Sequence, residues 1–135
     1  MSQSKTYLAL DVGERRIGVA IGDNNVRIAM PFDTIEVDGK ELERIAALVL
    51  DQAVDTVVIG YPRNQSGEAT AQTMYVEKFA SSLKDIAPRI VFQDESLTSV
   101  LAEQQLKAMK RPFAKGDIDA QAAAIILQDY LETAV

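Results

Sequence analysis

The stretch LALDVGERRIGVAIGD, Leu8 to Asp23, decides how the chain is read. An apolar run ends in Asp11, steps over Gly13, passes Arg15 and Arg16, and resumes as a second apolar run. The second run alternates, with Ile17, Val19 and Ile21 on one face, as a strand does. Gly13 permits a tight bend or a close backbone approach between the two runs. A carboxylate closing a buried strand is costly unless something uses it, and Asp11 therefore asks for a partner.

Working outward, KTYLALD (Lys5–Asp11) is a strand that follows a short polar tail, and GDNN (Gly22–Asn25) is a turn, so its flanking strands are antiparallel. RIAMPFDTI (Arg27–Ile35) is a third strand, and Pro31 inside it predicts a sheet edge, because proline donates nothing to a ladder. DGKELERIAALVLDQA (Asp38–Ala53) is a helix opened by a capping box of Asp38 and Glu41, with a buried stripe of Leu42, Ile45, Ala46, Val49 and Ala53. TVVIG (Thr56–Gly60) is continuously apolar, as in a parallel sheet covered on both faces. The loop YPRNQSGEA (Tyr61–Ala69) precedes a second helix that buries Val76, Phe79, Ala80, Leu83 and Ala87. RIVFQDE (Arg89–Glu95) is the fifth strand. A third helix (Leu97–Met109), a loop (Lys110–Gly116) and a final helix (Asp117–Glu132) follow.

The order β-β-β-α-β-α-β-α-α predicts an α/β fold. Its mixed five-stranded sheet has the first three strands antiparallel, then parallel βα units, with helices on both faces. Ligands of such sheets sit outside the carboxyl ends of the parallel strands. Residues 1–135 read as one domain, a length that supports a real core. No apolar run is long enough for a membrane span and no signal segment is evident, so the expected location is cytoplasmic and no membrane partner is expected. Monomer and dimer are both compatible with the sequence.

The chain has no cysteine and no histidine. That excludes disulfides, thiolate or histidine zinc sites, and nucleophiles that rely on a histidine base. Twenty aspartates and glutamates remain, and a site of carboxylates alone favours hard cations such as Mg2+ or Mn2+. The net charge of −6 argues against a generic nucleic-acid coat while leaving room for a local basic surface.

Asp11 closes the first strand, Asp94 and Glu95 close the fifth, and Asp117 and Asp119 open the last helix. Three separate segments can thus deliver carboxylates to one place, as needed for cations about 4 Å apart that align a phosphodiester with an attacking water. The structural alternatives are a turn role for Asp11 and a favourable charge at the following helix N-terminus for each of the others. Arg15 and Arg16 suit either hairpin charges or phosphate contacts. Arg63, Asn64 and Gly67 lie in the loop after the fourth strand, where they suit a phosphate, a base edge or a plain surface turn. KAMKRPFAK carries Lys107, Lys110, Arg111 and Lys115 around Phe113, a pattern that suits a single strand with phosphates paired and one base stacked. The alternative is a helix C-terminus complemented by its cations, with Phe113 in the core.

Four blocks, ALDVGERRIGVAIGD, VVIGYPRNQSG, QDESLTSVLAE and KGDIDAQAAAIILQDYLE, resemble the signature blocks of the YqgF (RuvX) family in order and cover nearly the whole chain. That family is RNase H-like, related to Holliday-junction resolvases, and linked to maturation of the precursor of small-subunit (16S) ribosomal RNA. The resemblance implies an RNase H-like nuclease domain over 1–135, with a Mg2+- or Mn2+-dependent site. By motif, Asp11 matches the first-strand aspartate, Glu95 the fifth-strand glutamate and Asp119 the last-helix aspartate, as catalytic and metal-ligating residues. Nucleic acid is the implied partner: RNA, with precursor ribosomal RNA first, or branched DNA. Arg15, Arg63, Asn64, Lys110, Arg111, Phe113 and Lys115 are the candidate substrate-binding residues. One departure is Ser96, where the family carries an arginine suited to a phosphate or to balancing the carboxylates. Two rival readings remain. One is a nucleotide-binding ATPase fold, whose first phosphate loop LDVGERRIGVAI also resembles. The other is a non-catalytic RNA- or ribosome-binding module on the same fold.

Overall fold

Large and small residues alternate along Ile17-Gly18-Val19-Ala20, and the two sizes go to opposite faces of one sheet. The computed structural model describes residues 4–62, 70–95, 98–110 and 112–134. Its elements are β1 (Thr6–Val12), β2 (Arg16–Asp23), β3 (Met30–Glu36), α1 (Glu41–Asp51), β4 (Val54–Pro62), α2 (Ala71–Ser82), β5 (Arg89–Glu95), α3 (Thr98–Ala108) and α4 (Lys115–Thr133). The sheet runs β3-β2-β1-β4-β5. The pairs β1–β2 and β2–β3 are antiparallel, and β1–β4 and β4–β5 are parallel. This is the expected mixed sheet with helices on both faces, and Pro31 lies in an edge strand.

One face is bulky. Leu8, Leu10 and Val12 of β1, Ile17 and Val19 of β2, and Val57 and Ile59 of β4 pack against Ile45 and Val49 of α1 and Val76 and Ala80 of α2. The other face is nearly bare. Ala9, Gly18, Ala20, Gly22 and Gly60 form a low floor on which α4 lies. A Cβ on Gly18 would overlap the backbone of Asp119 and Ala120, so helix and strand touch main chain to main chain. The sequence of α4 suits that approach: Ala120, Ala122, Ala123 and Ala124 are good helix formers with little to hold the helix away. Ile126, Leu127 and Leu131 are fully buried beyond them, each worth roughly 1.5–3 kcal/mol. α3 packs on α4. Among the described residues no helix is long and apolar enough to cross a membrane.

Several boundaries differ from expectation. The capping box at Asp38 does not form. Gly39, at φ 94°, puts a turn between the two acids; Asp38 accepts from the Lys40 N–H (3.0 Å) and Arg44 Nη2 (2.8 Å), while Glu41 accepts from the Gly39 N–H (2.7 Å). α1 therefore starts at Glu41, and Ala53 lies beyond its end, exposed at φ 50°. β3 begins at Met30 rather than Arg27, with a register shift against β2 between Val19 and Ala20. β4 continues through Tyr61 and Pro62 because they pair with Asp94 and Glu95. α4 starts at Lys115, two residues earlier than expected.

Candidate active site

Asp11 shares the α4-facing side of β1 with Tyr7 and Ala9, opposite Gly18 of β2. Glu95 ends β5 on the side of Val91, which faces α4. Asp94, its neighbour, alternates to the other face and is exposed. Between β1 and β5 lies Gly60 of β4, where a Cβ would overlap the Glu95 carboxyl and Ile126 Cδ1. The missing side chain leaves room for the Glu95 carboxyl, which hydrogen-bonds with that of Asp11. Asp119 arrives from above, seated by the contact of α4 with Gly18. Its Oδ2 accepts a 2.6 Å hydrogen bond from Arg16 Nε. Asp119 thus acts on Asp11 through its charge, and Glu95 through direct contact with Asp11.

Burial, then the charge of Asp119, pushes the Asp11 carboxyl up from 3.8 to about 6, against the opposing effect of its hydrogen bond with Glu95. Burial, then the charge and hydrogen bond of Asp11, pushes Glu95 up from 4.5 to about 7. The pair therefore retains a proton near neutrality. Glu95 Oε2 is buried and, among the described residues, has no hydrogen-bond partner. An unpartnered carboxylate oxygen, oxygen donors only, and mutual repulsion are what a hard divalent cation would relieve. The donor chemistry fits such an ion. Among the described residues, however, no three carboxylates close around a single point as a finished metal cage would.

The other candidates separate. Asp117, at the third position of α4, accepts from the Ala114 N–H (2.8 Å) and so serves the helix start. Arg15 is exposed at the β1–β2 turn, its carbonyl accepting from the Val37 N–H (2.9 Å). Lys110 is exposed just past α3, and Lys115 is exposed one turn before Asp119 on α4. Lys107 pairs with Glu103 at 3.3 Å, an acid one turn back along the helix. Phe113 is half-buried and lines a crevice with Pro31, Leu106 and Ala120, which agrees with the packing alternative. Arg63, Asn64, Gly67, Ser96 and Arg111 lie outside the described residues. Sequence reasoning weighed Arg15 and Arg16 alike as hairpin charges or phosphate contacts and kept only Arg15 among the substrate-binding candidates. The available signal was strand parity, since Arg16 precedes Gly18 by two residues and so shares its face.

The family model for RuvX, described as Holliday junction resolvase, matches residues 5–133. Relatives named "Putative pre-16S rRNA nuclease" include one from Chloroflexus aurantiacus, 46% identical over 130 residues, covering 93% of this chain and 85% of that protein. Another, from Synechocystis sp., is 41% identical over 137 residues, covering 98% and 90%. Among solved structures, the fowlpox virus resolvase with Holliday junction DNA aligns with a TM-score of 0.56 at 15% identity, covering 95% of this chain and 97% of that one. T. thermophilus RuvC with a Holliday junction substrate aligns with a TM-score of 0.54 at 13% identity, covering 96% of each. At such identities the structural likeness shows the resolvase-type, RNase H-like fold. With its family model matched almost end to end and relatives well above 30% identity, the chain belongs to the RuvX family.

Proposed function

We propose that this chain, as one domain over residues 1–135, is a cytoplasmic Mg2+- or Mn2+-dependent nuclease. Its proposed substrate is structured RNA, and its task the 5′-end processing of precursor 16S ribosomal RNA. The names of its relatives support that substrate. The observation that carries the chemistry is the half-buried Asp11–Glu95 carboxyl pair, with one buried oxygen of Glu95 unpartnered among the described residues, beneath the helix that delivers Asp119. Asp11, Glu95 and Asp119 would hold the cation, which when bound lowers the pKa of water and neutralises charge on the leaving oxygen.

The chain's own contribution is placement. The sheet fixes Asp11 and Glu95 on β1 and β5, either side of β4, and partial burial limits their screening by water. α4 sets the height of Asp119 above them. In the reaction a water oxygen bonds to phosphorus, the bond to the leaving sugar oxygen breaks, and that oxygen takes up a proton. Lys110 and Lys115, together with Arg15, Arg63, Asn64, Arg111 and Phe113, are the proposed strand-holding residues. The test is a cleavage assay on precursor RNA and on junction DNA, with Mg2+, Mn2+ or chelator, beside Asp11→Asn. Cleavage of RNA that needs the cation and Asp11 is expected. Preference for junction DNA would favour the resolvase reading that the family description suggests. Cation-independent RNA binding without turnover would make the chain a binding module.

A further inference from the structure

Arg16 opens β2 on the same face as Gly18, directly beneath the first turns of α4. Its inner nitrogen, Nε, is the one that bonds Asp119 Oδ2, at 2.6 Å. Among the described residues its terminal nitrogens hydrogen-bond nothing else, so the outer edge of the guanidinium fork remains available. The pair is neither sealed nor fully open: the side chains are 30% and 24% exposed for Arg16 and Asp119. Glu36 stands opposite Arg16 in the β2–β3 register and favours its charge. Asp119 is thus tied to a cation of the protein's own while Asp11 and Glu95 contact each other, and among the described residues no three carboxylates surround one point.

We propose that Arg16 is the resting counter-ion of Asp119, a positioning residue that holds the carboxylate while the site lacks a divalent cation and yields it when one binds. The freed guanidinium then turns to a phosphate of the bound strand. The inference rests on the nuclease reading above. It follows from charge and geometry: one oxygen cannot both accept the 2.6 Å Arg16 bond and ligate a cation without strong repulsion between the two positive groups. A planar fork with unused outer donors matches a phosphate in a way a lysine does not. Partial exposure lets the side chain swing without unpacking the core.

The experiment titrates Mn2+ into the whole protein without RNA, reading heat and Tm, for wild type, Arg16→Gln, Arg16→Lys and Asp11→Asn. Loss of an internal competitor predicts tighter Mn2+ binding by Arg16→Gln, about threefold or more. Arg16→Lys keeps a competing charge and should bind Mn2+ as wild type does. With a cleavage-resistant phosphorothioate RNA, both Arg16 variants should bind more weakly than wild type in Mn2+ and equally well in chelator. In an Asp119→Asn background, Arg16→Gln should leave Mn2+ affinity unchanged. Weaker or unchanged Mn2+ binding by Arg16→Gln overturns the proposal and leaves the site standing. A wild type with no Asp11-dependent Mn2+ response overturns the site and the proposal together.

Discussion

Replacing Asp11 with asparagine should stabilise the protein in alkaline solution, destabilise it by about 1–3 kcal/mol in acid, where only the cost of the amide remains, and abolish cleavage throughout. The magnitude follows from the carboxyl itself. Burial first, and Asp119 second, raise it from 3.8 to about 6 in the folded chain. That change corresponds to about 3 kcal/mol of unfavourable ionisation. The folded state holds this proton more tightly than the unfolded state does. The stability it contributes is therefore fully present below about pH 4 and lost as pH rises through about 6. Glu95 extends the loss to about 7. Asparagine does not ionise and escapes that loss, and Glu95 regains a neutral neighbour. The buried amide needs hydrogen-bond partners, an opposing cost of about 1–3 kcal/mol. The net expectation at about pH 8 is a gain of about 1 kcal/mol, or a few degrees in Tm. Thermal unfolding in chelator from about pH 4.5 to pH 8 measures it. Mg2+ should then narrow the gap by stabilising the wild type selectively. A Tm that falls equally at every pH would show that Asp11 is a turn residue and that the electrostatic account is wrong.

Glu95→Gln should eliminate cleavage while Asp94→Asn, on the opposite face of β5, changes the rate less than about threefold; equal losses would break the assignment of faces. Gly60→Ala should cost about 1–3 kcal/mol by overpacking against Ile126 and should displace the Glu95 carboxyl, seen as lost Mn2+ affinity in calorimetry. Wild-type Mn2+ affinity in that variant would contradict the close approach. Neutralising Lys110 and Lys115 with glutamine should weaken RNA binding at low salt and reduce the slope of log affinity against log salt by about 1.4, for two lost single-strand contacts. An unchanged slope would move the RNA path elsewhere.

The element order, the antiparallel-then-parallel pairing and the edge position of β3 were legible, because periodicity, turn residues and proline report directly on which groups can be buried or paired. The choice of Glu95 and Asp119 came from the motif resemblance, since either acid of each pair suits a strand end or helix start. Arg16 was not legible as a site residue. Two adjacent arginines leave a turn together, and only the start of β2 decides which of them faces α4. Asp117 and Asp119 separated only once the helix start was known: beginning at Lys115 puts Asp117 where it reaches back to the Ala114 N–H. The failure at Asp38 has a similar cause. The spacing to Glu41 is that of a capping box, but Gly39 takes a left-handed turn that spends both acids ahead of the helix.

The bare floor beneath α4 makes nuclease competence a property of docking. Asp11 and Glu95 belong to the sheet, whereas Asp119 travels with a helix whose backbone at that point rests on Gly18 with no side chain between them. A chain whose sheet has formed but whose α4 has lifted away would expose the first two carboxyls to water, where their titration reverts toward ordinary values. It would also lack the third. Under the proposed roles such a half-assembled or frayed molecule is chemically silent. A cell is thereby spared stray cutting by damaged or unfinished copies, because the same surface that completes the fold also arms the blade.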